Sequence, residues 1–162
     1  MLISKKKSSV IFQGVVQETL FDLLKKRNIK EVVVLEGRPR LEAVRHSCRQ
    51  LLKRKIKPIV IADSAAGFLF YKDLVKEVWI AYQMVDDKGA LCDIGALILG
   101  VLGKQHHVPV NFYPGVKRYK LIGDEEDTLS FNGARVAPQG VKAYVPLMEW
   151  VPRKYITKVY EG

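Results

Sequence analysis

The chain has 162 residues, of which 27 are Lys or Arg and 17 are Asp or Glu, so its formal net charge is +10. A hydrophobic fraction of 48% and a charged fraction of 27% are ordinary for globular proteins and exclude wholesale disorder, collagen-like repeats and low-complexity sequence. A chain of this length can bury one real core, and we expect one domain over residues 1–162.

Apolar periodicity predicts an alternation of helices and strands over residues 8–115. The expected elements are a short strand at 10–11, a helix within 14–28, a strand at 31–35, a helix at 41–52, a strand at 59–62, a helix at 63–71, a strand at 78–81, a helix at 94–104 and a strand at 109–113. Gly100 and Gly103 are expected to let the last helix pack closely on a sheet. The alternation predicts an α/β fold: three layers, with a mainly parallel Rossmann-like sheet and helices on both faces.

The alternation ends after Gly115, and residues 116–162 are expected to form a C-terminal loop, strand and helix. Asp124 to Asp127 is predicted to be an exposed acidic loop. Residues 133–145 hold a Pro-Gln-Gly turn and one short strand candidate. Pro152 is expected at the first position of a final helix, where its missing N–H costs nothing.

The sequence also suggests the cellular compartment. No apolar run approaches the ~18–20 residues of a membrane span, and residues 1–9 lack the apolar stretch of a secretory signal. Cys48 and Cys92 make neither a disulfide framework nor a zinc ligand set. The adjacent His106 and His107 point in different directions on a helix and form a poor metal site. We expect a cytoplasmic protein without membrane contact, metal or other cofactor.

The positive charge is concentrated in the first third of the chain. Residues 1–57 hold 15 basic and 5 acidic residues, whereas residues 58–162 hold 12 of each. Such a surplus can meet phosphates, nucleic acid or acidic partners, and it is equally typical of a solvated lysine-rich surface. Aromatic residues do not interleave with the basic cluster, so RNA remains a weaker candidate partner.

A ligand site is expected at the carboxyl ends of the parallel strands. Gln13 and Gly14 precede a helix there, and their backbone N–H groups can hold an anion. Arg38 follows a strand directly, and its guanidinium can clamp a phosphate or carboxylate; alternatively it bridges Glu36 or Asp63. The sequence matches neither the G-x-G-x-x-G nor the P-loop pattern of nucleotide-binding proteins.

Other polar residues are expected at the same edge. Asp63 and Ser64 can orient a sugar hydroxyl, or they can simply cap a helix. Gln83 follows the strand at 78–81, and its amide can hold a hydroxyl. Cys92 and Asp93 are expected to open the helix at 94–104, where the thiol would be reactive if its pKa were lowered and inert if it were buried.

Three segments together carry a family resemblance: Glu36-Gly37-Arg38-Pro39, Ile61-Ala62-Asp63-Ser64-Ala65-Ala66-Gly67, and Gly133-Ala134-Arg135-Val136-Ala137-Pro138-Gln139-Gly140-Val141. In their order and approximate spacing they resemble the C-terminal Rossmann-like domain shared by methylthioribose-1-phosphate isomerase, ribose-1,5-bisphosphate isomerase and the regulatory subunits of translation initiation factor 2B. The resemblance covers about residues 8–160. It implies a pocket for a phosphorylated sugar, and family members pair through this domain.

Departures from the family pattern concern catalysis. The resemblance implies a catalytic cysteine where this chain has Phe12-Gln13-Gly14, and a catalytic aspartate where it has Gln83. An Asn-Lys pair of the isomerases corresponds to Cys92-Asp93, so the lysine is lost. The family's N-terminal helical domain, which supplies phosphate-binding arginines, is expected to be absent. A glutamine amide cannot take a proton as a general base at neutral pH, so the acid/base pair of an isomerase is missing.

The sequence therefore predicts a catalytically degenerate family member that binds a phosphorylated sugar or nucleotide in a regulatory or partner-binding role. The ligand-binding residues are expected to be Gln13, Gly14, Arg38, Asp63, Ser64, Gln83 and Asp93, with no catalytic residue. One alternative is an active aldose–ketose isomerase of a ribose phosphate with altered residues. Another is a basic interaction module for RNA or a translation-related partner. A homodimer is expected, with a family-related protein as a further candidate partner.

Overall fold

A computed structural model describes residues 7–118 and 120–161, which form ten strands and five helices. The strands are β1 (Ser9–Gln13), β2 (Glu31–Leu35), β3 (Lys57–Ile61), β4 (Val75–Val85), β5 (Gly89–Asp93), β6 (Val110–Pro114), β7 (Ser130–Phe131), β8 (Ala134–Arg135), β9 (Met148–Pro152) and β10 (Lys158–Val159). The helices are α1 (Thr19–Lys26), α2 (Glu42–Lys53), α3 (Ala66–Tyr71), α4 (Ala96–Gln105) and α5 (Glu125–Leu129). Single 3-10 turns lie at Asp63–Ala65 and Arg153–Tyr155.

Six parallel strands form the main sheet, in the order β10-β6-β4-β1-β2-β3. Phe12 in β1 lies between Val34 of β2 and Trp79 of β4. The end of β4 runs past this sheet and pairs antiparallel with β5, which pairs antiparallel with β9. The predicted α/β fold with a mainly parallel sheet is confirmed.

Helices cover both faces of the sheet, as expected. Side chains alternate along a strand, so Val10 and Phe12 face α1 and α2, whereas Ile11 faces α3 and α4. In α1 the buried residues Leu20, Phe21 and Leu24 recur at helical spacing and pack on the first of these faces. The structure therefore has three layers, with one apolar core on each side of the sheet.

Close packing of α4 depends on the absence of a side chain, as the sequence predicted. A Cβ added to Gly103 would lie 2.2 Å from Cγ2 of Val110 in β6. The helix can sit this close to the strand because glycine leaves room for the valine. In the described part of the chain no helix has both the length and the apolar character needed to cross a membrane.

The acidic run after Gly115 is a helix start and not the loop that we expected. Asp124 is the N-cap of α5, and its side chain accepts a hydrogen bond from the backbone N–H of Asp127. The carboxylate of Asp127 in turn accepts from the N–H of Asp124 at 3.2 Å. This reciprocal capping box satisfies two N–H groups that a short helix otherwise leaves free.

The predicted final helix is wrong. Pro152 ends strand β9, and only the single turn Arg153–Tyr155 follows before β10. Val151 is fully buried and pairs with Ala90 of β5, so long-range pairing outweighs the local signal of the proline. Strand β5 was not predicted either, because Cys92 and Asp93 were expected to open the next helix and residues 89–91 were assigned to no element.

Candidate functional site

A pocket opens where β1, β2 and β5 end, and the loop after β6 closes one side of it. Gln13 and Gly14 contribute from the β1 end, and Leu147 and Met148 contribute from the segment before β9. We call it the carboxyl-edge pocket. Its charged lining residues are Arg38, Arg40, Glu42, Asp93, Arg118 and Lys120. The site therefore lies at the edge of the sheet that the sequence predicted.

Arg118 connects the charged groups of this pocket. Its guanidinium forms ion pairs with Asp93 and with Glu42, the latter at 2.9 Å between Nη1 and Oε2. Its backbone N–H donates to Oε1 of Gln83 at 2.9 Å. Sequence reasoning missed Arg118, although it follows the end of β6 by four residues and the rule for carboxyl ends applies to it.

Asp93 is the last residue of β5, whereas we expected it to open a helix. Its carboxylate accepts a hydrogen bond from the backbone N–H of Val15 and pairs with Arg118. Burial raises the pKa of Asp93, and the Arg118 guanidinium opposes that rise. The carboxyl group of Asp93 therefore lies inside the pocket and is held there by Val15 and Arg118.

Gly14 lets the loop after β1 reach this carboxyl group. Its φ is +94°, and an added Cβ would lie 2.6 Å from Cβ of Ala81 and 3.3 Å from Oδ2 of Asp93. We expected the backbone N–H groups near Gln13 and Gly14 to bind an anion of a ligand. One N–H of this loop is instead used by a carboxyl group of the protein itself. The N–H of Val15 already binds the Asp93 carboxylate.

Gln13 is buried, and its Nε2 donates to the backbone carbonyl of Ile94 at 2.6 Å. Its Oε1 is buried without a hydrogen-bond partner among residues 7–118 and 120–161. An unpaired buried acceptor is costly, so this oxygen is suited to take a hydrogen bond from a bound ligand.

Asp63 lies outside the pocket lining and holds the loop that carries Arg38. Its two carboxylate oxygens accept from the backbone N–H groups of Gly37 at 2.9 Å and Arg38 at 2.8 Å. The expected helix cap is wrong, because no side-chain cap hydrogen bond starts the turn at Asp63–Ala65. Ser64 is exposed and lies outside the pocket. Gln83 also lies outside the lining and positions Arg118 instead.

The Arg38 guanidinium faces the C-terminal part of the chain. It lies 4.5 Å from the ring centroid of Phe131, and its Nη2 donates to the carbonyl of Thr128 at 3.4 Å. The alternative of a bridge to Glu36 or Asp63 is not what the structure shows, because only the backbone N–H of Arg38 contacts Asp63. No carboxylate pairs with its guanidinium within the described ranges.

Residues 120–131 contact the lining of the pocket through ion pairs. Arg40 pairs with Asp127 of α5 at 3.1 Å, and Lys120 pairs with Asp124 at 2.8 Å. Arg40 also lies 3.6 Å from Glu42. Of the seven predicted ligand residues, the lining thus contains Gln13, Gly14, Arg38 and Asp93.

Cys92 lies in β5 with its side chain buried. Burial raises the pKa of its thiol, with the Asp93 carboxylate adding to the effect. Of the two interpretations that the sequence left open, the inert buried cysteine is the one that the structure supports. A reactive thiol at a helix start is not supported, because residue 92 is not at a helix start.

Comparison with known proteins gives a match to the Initiation factor 2 subunit family over residues 4–160. The chain belongs to this family. Methylthioribose-1-phosphate isomerase from Thermus thermophilus is 28% identical over 145 residues, covering 81% of this chain and 43% of that protein. The isomerase from Desulforudis audaxviator is 31% identical over 144 residues, covering 79% and 41%. This member of the Initiation factor 2 subunit family thus spans less than half the length of these relatives.

Solved structures of the Initiation factor 2 subunit family share the fold. A 5-methylthioribose 1-phosphate isomerase from Pyrococcus horikoshii superposes with a TM-score of 0.81 at 21% identity, covering 93% of this chain and 49% of that one. The delta subunit of a translation initiation factor 2B from A. fulgidus gives 0.80 at 17% identity, covering 98% and 53%. The Rossmann-like fold of the family is therefore confirmed for this chain.

Proposed function

We propose that this protein binds a phosphorylated sugar or nucleotide in the carboxyl-edge pocket and does not isomerise it, in a regulatory or partner-binding role. The observation that carries the proposal is Arg38, which lines the pocket and whose guanidinium has no carboxylate partner in the described residues. The curated relatives are isomerases of methylthioribose 1-phosphate, which favours a ligand of that chemical class.

The charge arrangement suggests an orientation for the ligand. Arg118 is neutralised by Asp93 and Glu42, and Arg40 is neutralised by Asp127. Arg38 is then the cation best placed to take a phosphate, through the two parallel bonds that a guanidinium offers. The unpaired Oε1 of Gln13 would accept a hydrogen bond from a sugar hydroxyl.

The proposed lack of turnover rests on the amide side chains of Gln13 and Gln83. The family resemblance implies a thiol and a carboxyl group where this chain has Gln13-Gly14 and Gln83. Both glutamine side chains are engaged in structural hydrogen bonds, to Ile94 and Arg118. Neither can take the proton that moves in an aldose–ketose isomerisation at neutral pH.

An active isomerase is the second candidate, and Asp93 favours it. Its carboxyl group lies in the pocket, and burial moves its pKa upward, in the direction that a general acid or base requires. Under this alternative the purified protein turns over a ribose phosphate, and Asp93→Asn abolishes the reaction. Under our proposal neither protein shows turnover.

The first experiment is thermal unfolding with methylthioribose 1-phosphate, ribose 1,5-bisphosphate, AMP and GMP. A ligand at 100 times its Kd stabilises by about 2.7 kcal/mol, which for a chain of this size raises the midpoint by about 5–10 °C. Arg38→Ala should lose the shift, whereas Arg45→Ala, an exposed arginine outside the pocket, should keep it. If none of the four compounds raises the unfolding midpoint, the proposal is contradicted. If the wild-type protein turns over a ribose phosphate and Asp93→Asn keeps that activity, both candidates are contradicted.

A further inference from the structure

The edge at which the parallel strands begin carries a row of lysines. Lys7 precedes β1, Lys30 precedes β2, Lys57 begins β3 and Lys76 lies at the start of β4. Their backbones are adjacent: the N–H of Lys57 donates to the carbonyl of Lys30, and the N–H of Lys7 donates to that of Asp73, both at 2.8 Å. The four side chains are exposed. We call this the amino edge, and it lies opposite the carboxyl-edge pocket.

The helices add to the same edge. Helices α1 to α3 each return the chain from one parallel strand to the start of the next, and α4 returns it from β5 to the start of β6, so all four end there. Their last turns and the residues just beyond contribute exposed lysines: Lys25, Lys26, Lys53, Lys55, Lys72 and Lys104. The fold therefore brings lysines from beyond the basic first third, such as Lys72, Lys76 and Lys104, into one band.

Few acids oppose this band. Asp22, Glu31, Asp73 and Glu77 lie near it. Three of them are already paired: Asp22 with Arg54 at 2.7 Å, Glu31 with Lys57 at 3.2 Å and Glu77 with Arg27 at 3.0 Å. The other nine lysines of the band have no ion-pair partner among the residues that the structure describes. Like charges held in a row repel one another, and an external polyanion would relieve that repulsion.

Helix dipoles explain only part of the arrangement. Cations are favoured in the last turn of a helix, which accounts for Lys25, Lys26 and Lys104. The effect falls off beyond that turn, so it does not account for Lys7 or Lys76, which lie at strand starts. The helix dipoles therefore leave the cations at the strand starts unexplained.

The shape of the amino edge and its aromatic residues point to the kind of anion. Neighbouring strands are about 4.8 Å apart, so lysines on four adjacent strands form an extended strip that suits a chain of phosphates. Phe68 and Tyr71 of α3 are 57% and 75% exposed, and Nζ of Lys72 lies 5.8 and 5.3 Å from their ring centroids. Cations beside exposed rings are the combination that binds single strands, because bases stack on the rings.

We propose that the amino edge binds single-stranded nucleic acid, with phosphates along the lysines and bases stacked on Phe68 and Tyr71. The sequence alone does not show lysines beside exposed aromatic rings, because Phe68 and Tyr71 lie outside the basic first third of the chain. The site is separate from the carboxyl-edge pocket and does not depend on the function proposed for it.

The test is fluorescence anisotropy of a labelled oligouridylate of about 20 nucleotides, titrated with the full chain at several salt concentrations. The affinity should fall with salt, with a slope of log K against log salt of about −0.7 per neutralised phosphate. Replacing Lys30, Lys55 and Lys76 by Ala together should weaken binding at least about tenfold and flatten the slope by about two.

The matched control replaces three exposed lysines away from the amino edge by Ala: Lys88, Lys117 and Lys142. It lowers the net charge equally and should change the affinity less than about twofold. All six side chains are exposed and lack ion-pair partners in the described structure, so both variants should fold, and their thermal midpoints verify this.

Stacking is tested with Tyr71→Ala, which should weaken binding at least about fivefold, against Tyr144→Ala, which should have no effect. The proposal is overturned if the wild-type protein fails to bind at low salt, or if both triple variants lose affinity equally. It is also overturned if vesicles of phosphatidylserine and phosphatidylcholine bind the amino edge and the oligonucleotide does not compete.

Discussion

Asp63 holds the loop that carries Arg38, because its carboxylate accepts two backbone N–H groups of that loop. Hydrogen bonds to a charged group contribute about 1.5–3 kcal/mol each, and partial exposure reduces this. Asp63→Ala should therefore lower the free energy of unfolding by about 2 kcal/mol, measured by urea denaturation. Ser64→Ala is the control, since Ser64 is exposed, and its effect should be close to zero. Equal effects of the two substitutions would contradict this role.

Asp93 gives a prediction about pH. Because its pKa is raised in the folded state, mainly by burial, the folded protein binds this proton more tightly than the unfolded chain does. The stability of the wild-type protein relative to Asp93→Asn should therefore fall as the pH rises above about 4, the ordinary pKa of Asp. Denaturant unfolding of both proteins between pH 3 and 8 measures the difference. A difference that grows with pH would show that the ion pair with Arg118 dominates.

At the scale of elements, helix α5 is attached to the pocket through Arg40 and Asp127. Asp127 also completes the capping box, so Asp127→Asn should loosen the helix from the pocket wall. Hydrogen exchange of the amides in residues 125–131 should speed up by about tenfold or more, because local opening costs less free energy. Glu125→Gln is the matched control, since Glu125 is exposed and outside the capping box. Unchanged exchange in Asp127→Asn would show that other contacts hold α5.

Local sequence patterns located each element from β1 to β4, although the strands predicted at 10–11 and 78–81 are shorter than β1 and β4. There, each strand is an apolar run, and helices such as α1 and α2 carry their apolar residues at helical spacing. They failed at Pro152, because β9 is specified by its pairing with β5, about 60 residues earlier. The carboxyl-end rule led to Gln13 and Arg38, which both line the pocket, whereas Asp93 was expected at a helix start and in fact ends strand β5. It missed Arg118 because the pattern fades beyond β6, and only the folded chain brings that side chain to Asp93.

At the scale of the whole molecule, the predicted homodimer stays a prediction. The segment after β6 exposes several large apolar side chains, among them Leu121, Phe131, Val136 and Tyr144. Exposed apolar patches commonly mark an interface, so a second copy is expected to cover them. Light scattering should give twice the 18.4 kDa of one chain.

Two matched variants locate that interface. Val136→Ser with Tyr144→Ser should shift the molecular mass toward one chain, whereas Leu52→Ser with Met84→Ser, which changes exposed apolar residues elsewhere, should not. A wild-type mass of one chain would contradict the homodimer. A dimer lost only in the Leu52 and Met84 variant would place the interface elsewhere.

The last strands of the chain complete a sheet whose other members were made much earlier. Val151 is buried against β5, β10 pairs with β6, and the ring of Tyr160 lies 4.9 Å from that of Trp79. During synthesis, β5 and β6 therefore emerge from the ribosome well before their partners do. Until β9 has emerged, β5 presents an unpaired edge to neighbouring nascent chains, and until β10 has emerged, β6 does so as well. The synthesis of residues 115–160 is thus a stage of translation at which this protein is exposed to misassembly.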